Sequence, residues 1–383
     1  MRLAKLRVAG YRSLVDTVMP LRPLTVMIGP NGSGKTAVLE IVMLLRGAMQ
    51  EKLSQSLEAL GGLNAVLSRV APPAEKLAIE LELDTESVES SQPMRYAVEL
   101  LPTTVGYSIR TELLDWGKDQ NGRAPSYVHL MDGRIYFREP RTVSEPRSSE
   151  IDRAELALAQ VPRHYVEPEA LRSMLAKASF YGFLDIGHRA VVRLPQALTP
   201  ASRPGANGEN LFSALYNLRT NHGGAYQRIL DTLEVAFPGF QSLEFPVVGS
   251  GQVTLAWYET ALSAPLYPSE LSEGTLRFLW LVAVLLTPDP APLTLIDEPE
   301  VSLHPELLRL LAGLLQDAAL RSTVIVATHA TDLIRWLQPN EVAVLDKEEG
   351  KTRFTWADQM NLEEWLKEYS LGDLWLMGTL GGR

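Results

Sequence analysis

The octapeptide GPNGSGKT at 29–36 has the residue types and spacing that bind phosphate groups. It fits the pattern G-x-x-x-x-G-K-[ST] and lies between a predicted buried strand, LTVMIG at 24–29, and a predicted helix over 36–49. Glycines let backbone N–H groups converge on phosphate oxygens, and the helix dipole favours their charge. We expect Lys35 to reach the β- and γ-phosphates of a nucleotide and Thr36 to ligate Mg²⁺. The predicted phosphate-binding residues are Gly29, Pro30, Asn31, Gly32, Ser33, Gly34, Lys35 and Thr36.

An apolar stretch that ends in two adjacent acids, LTLIDEPE at 293–300, contains the next candidate residues. We expect a buried strand whose carboxyl end presents Asp297 and Glu298 to a metal ion and a phosphate group. Asp297 would hold Mg²⁺ through water, and Glu298 would be the general base that takes a proton from the attacking water. The alternative is an acid pair at a helix N-terminus, where the dipole stabilises negative charge.

A further apolar stretch, VIVATHA at 324–330, predicts a buried strand that ends in Thr328 and His329. A histidine at this place can contact a γ-phosphate and report its presence, so His329 is a candidate catalytic residue. Histidines at strand ends also have purely structural roles. The position of this strand after the acid pair in the chain favours the catalytic interpretation.

The segment SELSEGTLRFLWLV at 269–282 raises a question about its glycine. Ser272 is a suitable N-cap, and the apolar run at 278–286 predicts a buried helix. Gly274 then falls in the first helical turn, where glycine costs about 1 kcal/mol relative to alanine. The glycine therefore indicates that another group approaches this part of the backbone closely.

Composition and charge exclude several classes of protein. The 383 residues are 46% hydrophobic, which suffices for a sizeable core, and the lack of cysteine excludes disulfides and thiolate metal sites. The net charge of −10 argues against a generally basic nucleic-acid-binding surface, although a local basic groove is compatible with it. The first residues do not resemble a signal peptide, and no apolar run approaches the roughly 20 residues of a membrane helix. We expect a cytoplasmic location and no membrane partner.

The sequence pattern of the rest of the chain predicts a β-rich region followed by a mainly helical region. Residues 76–137 alternate apolar and polar side chains in short runs, which is typical of an antiparallel meander. A proline- and serine-rich linker is predicted at 138–150, and mainly helical sequence follows over 150–235. The other predicted elements are helices over 150–161, 167–183, 208–221, 225–237, 305–319 and 330–337, strands at 242–248, 252–259, 293–297 and 322–328, and a hairpin over 341–356.

Together these motifs resemble the ABC ATPase superfamily. A P-loop, a serine–glycine helix start, a strand with Asp-Glu and a strand with histidine follow one another in that family's order, and LSEGT at 271–275 resembles its signature motif. The resemblance implies that ATP binds with Mg²⁺ and that two copies of the chain close head to tail around it as a homodimer. The signature helix of one subunit would point at the γ-phosphate held by the other, with contacts from Ser272 and the Gly274 N–H. Such an approach would explain the glycine.

A narrower resemblance is to stand-alone AAA/ABC-type ATPases related to RecF-like and overcoming-lysogenization-defect (OLD) ATPases. The stretches RVAGYRSLVDTVMPLRPLTVMIGPNGSGKTAVLE, SELSEGTLRFLWLVAVLL, LIDEPEVSLHP and YSLGDLWLMGTLGG carry it. It implies a D-loop at 301–304 that crosses a dimer interface. Tyr11 or Arg12 would touch adenine or phosphate, with a turn residue and a surface charge as the alternative. The Q-loop glutamine has no obvious counterpart, since Gln50 and Gln55 directly follow the P-loop helix.

The expected fold class is α/β: an ABC-type P-loop NTPase with a mixed central sheet, an antiparallel β subdomain and a helical insertion. We expect ATPase lobe I at 1–137, the insertion at 138–240, lobe II at 241–350 and a C-terminal tail at 351–383. We expect no coiled-coil arms like those of chromosome-structure ATPases, because the residues between Thr36 and Leu271 are too few and too proline-rich. We also expect no Toprim nuclease domain of the kind that OLD proteins carry, because few residues follow the last hairpin.

The expected function is ATP hydrolysis that closes and reopens a dimer and drives a conformational change in DNA repair or phage defence, with DNA as a possible partner. The alternative is a regulatory switch that binds ATP and controls a partner effector protein. A transporter's ATPase subunit is disfavoured by the missing Q-loop and the large insertion. Three tryptophans near the C-terminus, Trp356, Trp365 and Trp375, either dock onto the core or bind a partner.

Overall fold

The structure is a computed structural model that describes most of the chain. Its described residues are 1–84, 93–116, 126–131, 134–137, 152–249 and 251–380. The predicted linker at 138–150 lies outside them. No helix in these described ranges is both long and apolar enough to cross a membrane.

The described chain contains both strands and α-helices, with the strands β4 to β8 consecutive in the sequence. The strands are β1 (Arg2–Tyr11), β2 (Leu14–Pro20), β3 (Leu24–Ile28), β4 (Leu77–Asp84), β5 (Met94–Thr103), β6 (Gly106–Trp116), β7 (Ser126–Met131), β8 (Arg134–Phe137), β9 (Ser179–Tyr181), β10 (Gln196–Ala197), β11 (Phe240–Glu244), β12 (Gln252–Val253), β13 (Ala256–Glu259), β14 (Leu293–Asp297), β15 (Thr323–Ala327), β16 (Val342–Glu348) and β17 (Lys351–Trp356). The α-helices are α1 (Lys35–Met49), α2 (Leu53–Ala59), α3 (Leu63–Val66), α4 (Ala157–Gln160), α5 (Val166–Ala176), α6 (Leu211–Asn221), α7 (Gly223–Ala236), α8 (Glu273–Leu286), α9 (Pro305–Ala319), α10 (Thr331–Ile334) and α11 (Leu371–Leu376).

The described chain divides into two compact units. Unit 1 contains Met1–Ala178 and Ala343–Met360, and unit 2 contains Ser179–Val342 and Asn361–Leu380. This division differs from the four segments expected from the sequence. The part of the expected insertion before β9 belongs to unit 1, and β17, expected in the tail, also belongs to unit 1.

An antiparallel sheet forms the β-rich part of unit 1. Among the described residues, its strands pair in the order β2-β1-β4-β5-β6-β7-β8, and each neighbouring pair is antiparallel. In β4 every second residue is buried, as expected for a sheet with one face on a core: Leu77, Ile79, Leu81 and Leu83. The meander predicted for 76–137 is confirmed over its described residues.

A buried carboxylate fastens the chain that follows this sheet. Glu112 of β6 accepts hydrogen bonds from Tyr96 Oη (2.8 Å) and from the backbone N–H groups of Ala157 (2.6 Å) and Leu158 (2.8 Å). Burial raises the pKa of Glu112, and these hydrogen bonds oppose the rise. The helix predicted over 150–161 is wrong in its extent, because α4 forms only one turn and the chain is extended before Pro162.

Strand β3 and the hairpin β16–β17 form the second sheet region of unit 1. β3 is buried along its whole length, β16 lies beside it, and β17 pairs antiparallel with β16. Trp356 at the end of β17 is 1% exposed, and its Nε1 donates to the Pro20 carbonyl oxygen at 3.0 Å. Trp356 therefore docks onto the core. Trp365 in unit 2, by contrast, is 50% exposed.

Parallel strands in the order β15-β14-β9 form the sheet region of unit 2. β14 and β15 are almost continuously apolar and buried, as expected for parallel strands covered on both faces. The helix predicted over 167–183 is wrong at its end, where Phe180 and Tyr181 belong to β9. Pairing of β9 with β14 outweighs the helical pattern of the local sequence.

Helix α8 lies at the centre of unit 2, since each residue from Leu276 to Leu286 is buried. A helix that is apolar on all sides is typical of a protein core. The strands predicted at 242–248 and 252–259 are replaced by the short strands β11, β12 and β13. The predicted helix at 330–337 is also shortened, to the single turn α10.

Candidate functional site

The loop between β3 and α1 has a backbone that requires glycine. Gly32 (φ +77°) and Gly34 (φ +111°) both adopt left-handed conformations, and Gly34 is the N-cap of α1. At Gly29, a Cβ atom would lie 2.1 Å from the carbonyl oxygen of Leu345 in β16. Because Gly34 is the N-cap, this loop leads directly into the N-terminus of α1, the end of a helix that favours negatively charged groups.

The side chains of the same loop are suited to binding a phosphate group. Lys35 is 6% exposed, and its Nζ donates to the carbonyl oxygens of Gly29 (2.7 Å) and Pro30 (3.2 Å). Ser33 Oγ is buried and has no hydrogen-bond partner among the described residues. Thr36 is exposed in the first turn of α1. A cation, an unused buried hydroxyl and a helix N-terminus fit a phosphate group, and the Thr36 hydroxyl fits Mg²⁺.

Thr352 of β17 supports the loop from the other end of the chain. Its Oγ1 donates to the carbonyl oxygen of Ser33 at 2.7 Å and lies 2.8 Å from Ser13 Oγ. A Cβ atom on Gly34 would lie 2.5 Å from the same Oγ1. Sequence reasoning missed Thr352, because an isolated threonine in a hairpin carries no signal of its contact with a loop about 300 residues away in the chain.

Tyr11 and Arg12 both contact Glu40 on α1. Tyr11 is fully buried and its Oη donates to Glu40 Oε2 at 2.9 Å, while Arg12 Nε lies 2.7 Å from the same oxygen. Burial raises the pKa of Tyr11. Tyr11 thus anchors α1 within the core, and the Arg12 side chain, 45% exposed, presents a cation near the surface. Contact of either residue with adenine or phosphate stays a prediction.

In unit 2, Asp297 ends β14 and begins a tight segment, Asp297–Ser302, here called the acid turn. Asp297 is half-buried, and the Glu298 side chain is exposed. Glu298 has a φ of +46°, a left-handed conformation that is uncommon for residues other than glycine. Its N–H donates to the Ala327 carbonyl oxygen at 2.8 Å, and its own carbonyl accepts from Arg277 Nη2 at 2.7 Å. Two contacts from outside the turn therefore hold the candidate general base.

Glu300 connects the acid turn to the candidate histidine. Its Oε1 accepts from Thr328 Oγ1 at 2.7 Å and from the backbone N–H of His329 at 2.9 Å. His329 is half-buried just beyond the end of β15. Unit 2 therefore brings Glu298 and His329 onto one connected set of contacts. The sequence analysis did not assign a role to Glu300, although its place in the acidic motif was a usable signal.

The first turn of α8 packs against the acid turn. Ser272 is exposed and caps the helix, since its Oγ accepts from the Thr275 N–H at 3.1 Å. A Cβ atom on Gly274 would lie 2.6 Å from the Ser302 carbonyl oxygen. A neighbouring segment of the same chain thus requires the glycine, which is an approach the sequence analysis did not anticipate.

The structure gives the positions of the predicted D-loop and of Gln50. Ser302 has a φ of +63°, and His304 caps α9 by accepting from the Glu306 N–H at 3.4 Å. Ser302, His304 and Glu306 are exposed. Gln50 ends α1 and its side-chain amide donates to the Ala176 carbonyl oxygen at 2.9 Å, so it fastens α1 to the end of α5.

No group of three or more His, Asp or Glu side chains gathers in a metal-binding arrangement within the part of the chain that the structure describes. A magnesium ion in a P-loop needs no such group, because phosphates and water supply most of its ligands.

A protein-family profile described as “AAA domain, putative AbiEii toxin, Type IV TA system” matches residues 24–335. The matched region is most of the chain and includes the P-loop, the signature-like segment, the acid turn and His329. The fold and these motifs define an ABC/AAA-type ATPase domain. The chain belongs to the AAA-domain family that this profile describes.

The fold is similar to that of crystallised Smc head domains. An Smc head bound to the C-winged helix domain of ScpA has a TM-score of 0.56 and 15% identity, over 96% of this chain and 100% of that chain. An Smc head with an extended coiled coil from Pyrococcus furiosus, bound to the C-terminal domain of ScpA, has a TM-score of 0.53 and 12% identity, over 96% and 100%. The likeness concerns the fold alone. It confirms the expected α/β class with a mixed sheet and an antiparallel sheet.

Two curated proteins match short parts of the chain. The OLD nuclease of Thermus scotoductus is 47% identical over 45 residues, which are 12% of this chain and 8% of that protein. The chromosome partition protein Smc of Methylococcus capsulatus is 36% identical over 91 residues, which are 23% of this chain and 8% of that protein. The chain therefore matches only 8% of the length of each relative.

Proposed function

We propose that the chain binds Mg-ATP at its P-loop and hydrolyses it. The P-loop is the main support for this proposal. Its left-handed glycines, the buried Lys35 and the Ser33 Oγ, which has no hydrogen-bond partner among the described residues, lie at the N-terminus of α1. These groups fit the phosphate chain of a nucleotide. Family membership in the AAA domains supports the same conclusion.

Different residues bind the phosphates, accept the proton and hold the magnesium ion in the proposed reaction. Lys35 and the backbone N–H groups hold the β- and γ-phosphates, and Glu298 takes a proton from the attacking water. Thr36 and, through water, Asp297 are the proposed magnesium ligands. When bound, Mg²⁺ supplies charge neutralisation on the phosphate oxygens. His329 is proposed to contact the γ-phosphate, and its backbone is already oriented by Glu300.

ATP binding is further proposed to close two copies of the chain head to tail. Ser272 and the Gly274 N–H of one copy would then contact the γ-phosphate held by the other. Exposure of Ser272 and of the D-loop residue Ser302 supports this proposal. The N-terminus of α8 also favours a negatively charged ligand. Hydrolysis would remove the γ-phosphate and reopen the dimer.

Two outputs of this cycle are proposed in the cytoplasm, where ATP is abundant. The first is a conformational change in DNA repair or phage defence, which is supported by the local matches to an OLD nuclease and to a chromosome partition protein. The second is a switch that controls a partner effector protein, which is supported by the toxin–antitoxin system in the family description. ATPase stimulation by DNA with a steep salt dependence favours the first output. A salt-insensitive rate with and without DNA favours the second.

Replacement of Lys35 by alanine tests the proposal directly. Lys35→Ala should weaken binding of a fluorescent ATP analogue by about 100-fold, because a charge-assisted contact to phosphate is lost. Lys177→Ala is the matched control, since Lys177 is an exposed lysine at the end of α5. Equal nucleotide affinity in parent and folded Lys35→Ala would contradict the P-loop assignment.

A further inference from the structure

A buried arginine in the second turn of α8 contacts the acid turn. Arg277 is 1% exposed, and its Nη2 donates to the Glu298 carbonyl oxygen at 2.7 Å. Its Nε and Nη1 are buried and have no hydrogen-bond partner among the described residues. Burial lowers the pKa of Arg277, and the charges of Glu300 and Glu298 oppose the shift. A buried guanidinium is costly, so its retention in an otherwise apolar helix indicates a specific role.

Arg277 holds the strained backbone of Glu298, the candidate general base. A left-handed residue with a side chain persists only where its surroundings over-determine it. At Glu298 those surroundings are the Arg277 guanidinium on the carbonyl side and the Ala327 carbonyl on the N–H side. Because the backbone sets the direction of the Cβ atom, these two contacts also set the direction in which the Glu298 side chain leaves the chain.

Glu300 supplies the opposite charge on the same turn. While its Oε1 holds Thr328 and His329, its Oε2 is buried and has no hydrogen-bond partner among the described residues. The acid turn thus contains a buried, negatively charged hydrogen-bond acceptor, and α8 contains buried, positively charged hydrogen-bond donors. Each has unused hydrogen-bonding capacity, which is rare for buried groups and expensive to leave unused.

The same helix touches the acid turn at a second point. Gly274, one turn before Arg277, lies against the Ser302 carbonyl so closely that a Cβ atom would be at 2.6 Å. A displacement of the start of α8 must therefore move both ends of the acid turn, at Glu298 and at Ser302. Packed contacts of this kind transmit small shifts because protein interiors are dense.

We propose that Arg277, together with Glu300, is a positioning element that couples the start of α8 to Glu298 and His329 within one copy of the chain. A ligand contact at Ser272 and Gly274 would shift α8, Arg277 would carry the shift to the Glu298 peptide, and Glu300 would carry it to His329. The inference rests on the proposed ATPase function. It adds to that function a link inside the subunit between ligand recognition and the reacting groups.

The test compares variants at the two ends of α8. Arg277→Met keeps an aliphatic stem and removes the guanidinium, whereas Arg277→Lys keeps one cationic donor. Arg321→Met is the control, because Arg321 donates to the Leu285 and Thr287 carbonyl oxygens at the far end of the same helix. We expect Arg277→Met to lower kcat by about 10- to 100-fold with KM for ATP unchanged within about twofold. Arg277→Lys should recover part of the loss, and Arg321→Met should keep the parent kcat.

Amide hydrogen exchange provides a readout that does not need hydrolysis. Arg277→Met and Glu300→Gln should each speed exchange by about tenfold at the Glu298 and His329 amides, and Arg321→Met should leave those amides unchanged. A parent without ATPase activity would contradict the proposed function, and the exchange result would still decide this inference. If Arg277→Met exchanges at the parent rate at both amides, or keeps the parent kcat in an active enzyme, the positioning role is wrong.

Discussion

The P-loop of unit 1 and the acid turn of unit 2 both contain residues in the left-handed backbone conformation, but different features stabilise that conformation in the two segments. In the P-loop the left-handed residues are Gly32 and Gly34, which adopt this conformation without a steric penalty. In the acid turn the left-handed residues are Glu298 and Ser302, which do not. The P-loop conformation is therefore largely local, whereas the acid turn depends on Arg277 and other contacts from distant parts of the chain.

This difference has a consequence for function. The left-handed residues of the P-loop need no distant contact to adopt their conformation, because they are glycines. A turn that a neighbouring helix holds in a strained conformation responds to the position of that helix. We therefore propose that the P-loop binds phosphate and that the acid turn controls hydrolysis.

The largest effect is expected at the two acids of the acid turn. Glu298→Gln keeps the size of the side chain but cannot take a proton from water, so kcat should fall by about 10²- to 10⁴-fold while ATP still binds. Asp297→Asn should instead weaken Mg²⁺-dependent ATP binding. Turnover and nucleotide titration with and without Mg²⁺ separate the two outcomes. Hydrolysis at the parent rate in Glu298→Gln would place the general base elsewhere.

The same contrast explains what could be predicted from the sequence. The P-loop, the strand before it and helix α1 follow from a contiguous motif, because each residue type encodes its own backbone or ligand requirement. The acid pair and the Ser272 cap were also recognisable from local pattern. Strand β9 was missed because its pairing with β14 outweighs the helical pattern before it.

Other parts of the candidate site could not be predicted because they arise from long-range contacts. Thr352 supports the P-loop from a distant hairpin, and Arg277 looks like an ordinary member of an apolar helix until its carbonyl partner is known. Gly274 was singled out from its cost in a helix, but its contact with the Ser302 carbonyl depends on the fold. Local sequence thus indicates the reacting groups more readily than the groups that position them.

A moderate effect is expected at Gly274. In Gly274→Ala the new Cβ must displace the Ser302 carbonyl, so we expect a free energy of unfolding lower by about 1–3 kcal/mol without nucleotide and a kcat lower by about 10- to 100-fold. Gly313→Ala is the matched control, since it adds a Cβ to helix α9 where nothing lies within 4 Å. That control should be stabilised by up to about 1 kcal/mol.

Denaturant unfolding of both variants checks the origin of the Gly274 effect. If Gly274→Ala has the parent stability and loses only ATP-dependent dimer formation, the glycine serves a contact between subunits alone. In that case the packing of α8 on the acid turn would not explain the glycine.

The smallest effect is expected at Thr352 beneath the P-loop. Thr352→Val removes the hydrogen bond to the Ser33 carbonyl, so ATP affinity should fall by about fivefold, corresponding to about 1 kcal/mol. Titration of the fluorescent ATP analogue measures this change. Thr355→Val, on the same strand, is the control and should bind with parent affinity. A larger loss than in Lys35→Ala would show that the P-loop is not shaped mainly by its own residues.

We propose that ATP closes two copies of the chain around the nucleotide. Sedimentation velocity of Glu298→Gln with and without Mg-ATP tests it most directly, because this variant should bind ATP and hold the closed state. We expect the mass of one chain without nucleotide and of two chains with Mg-ATP, and we expect the double variant Glu298→Gln/Ser272→Arg to lose this shift. A Glu298→Gln protein that binds ATP and keeps the mass of a single chain would contradict the claim.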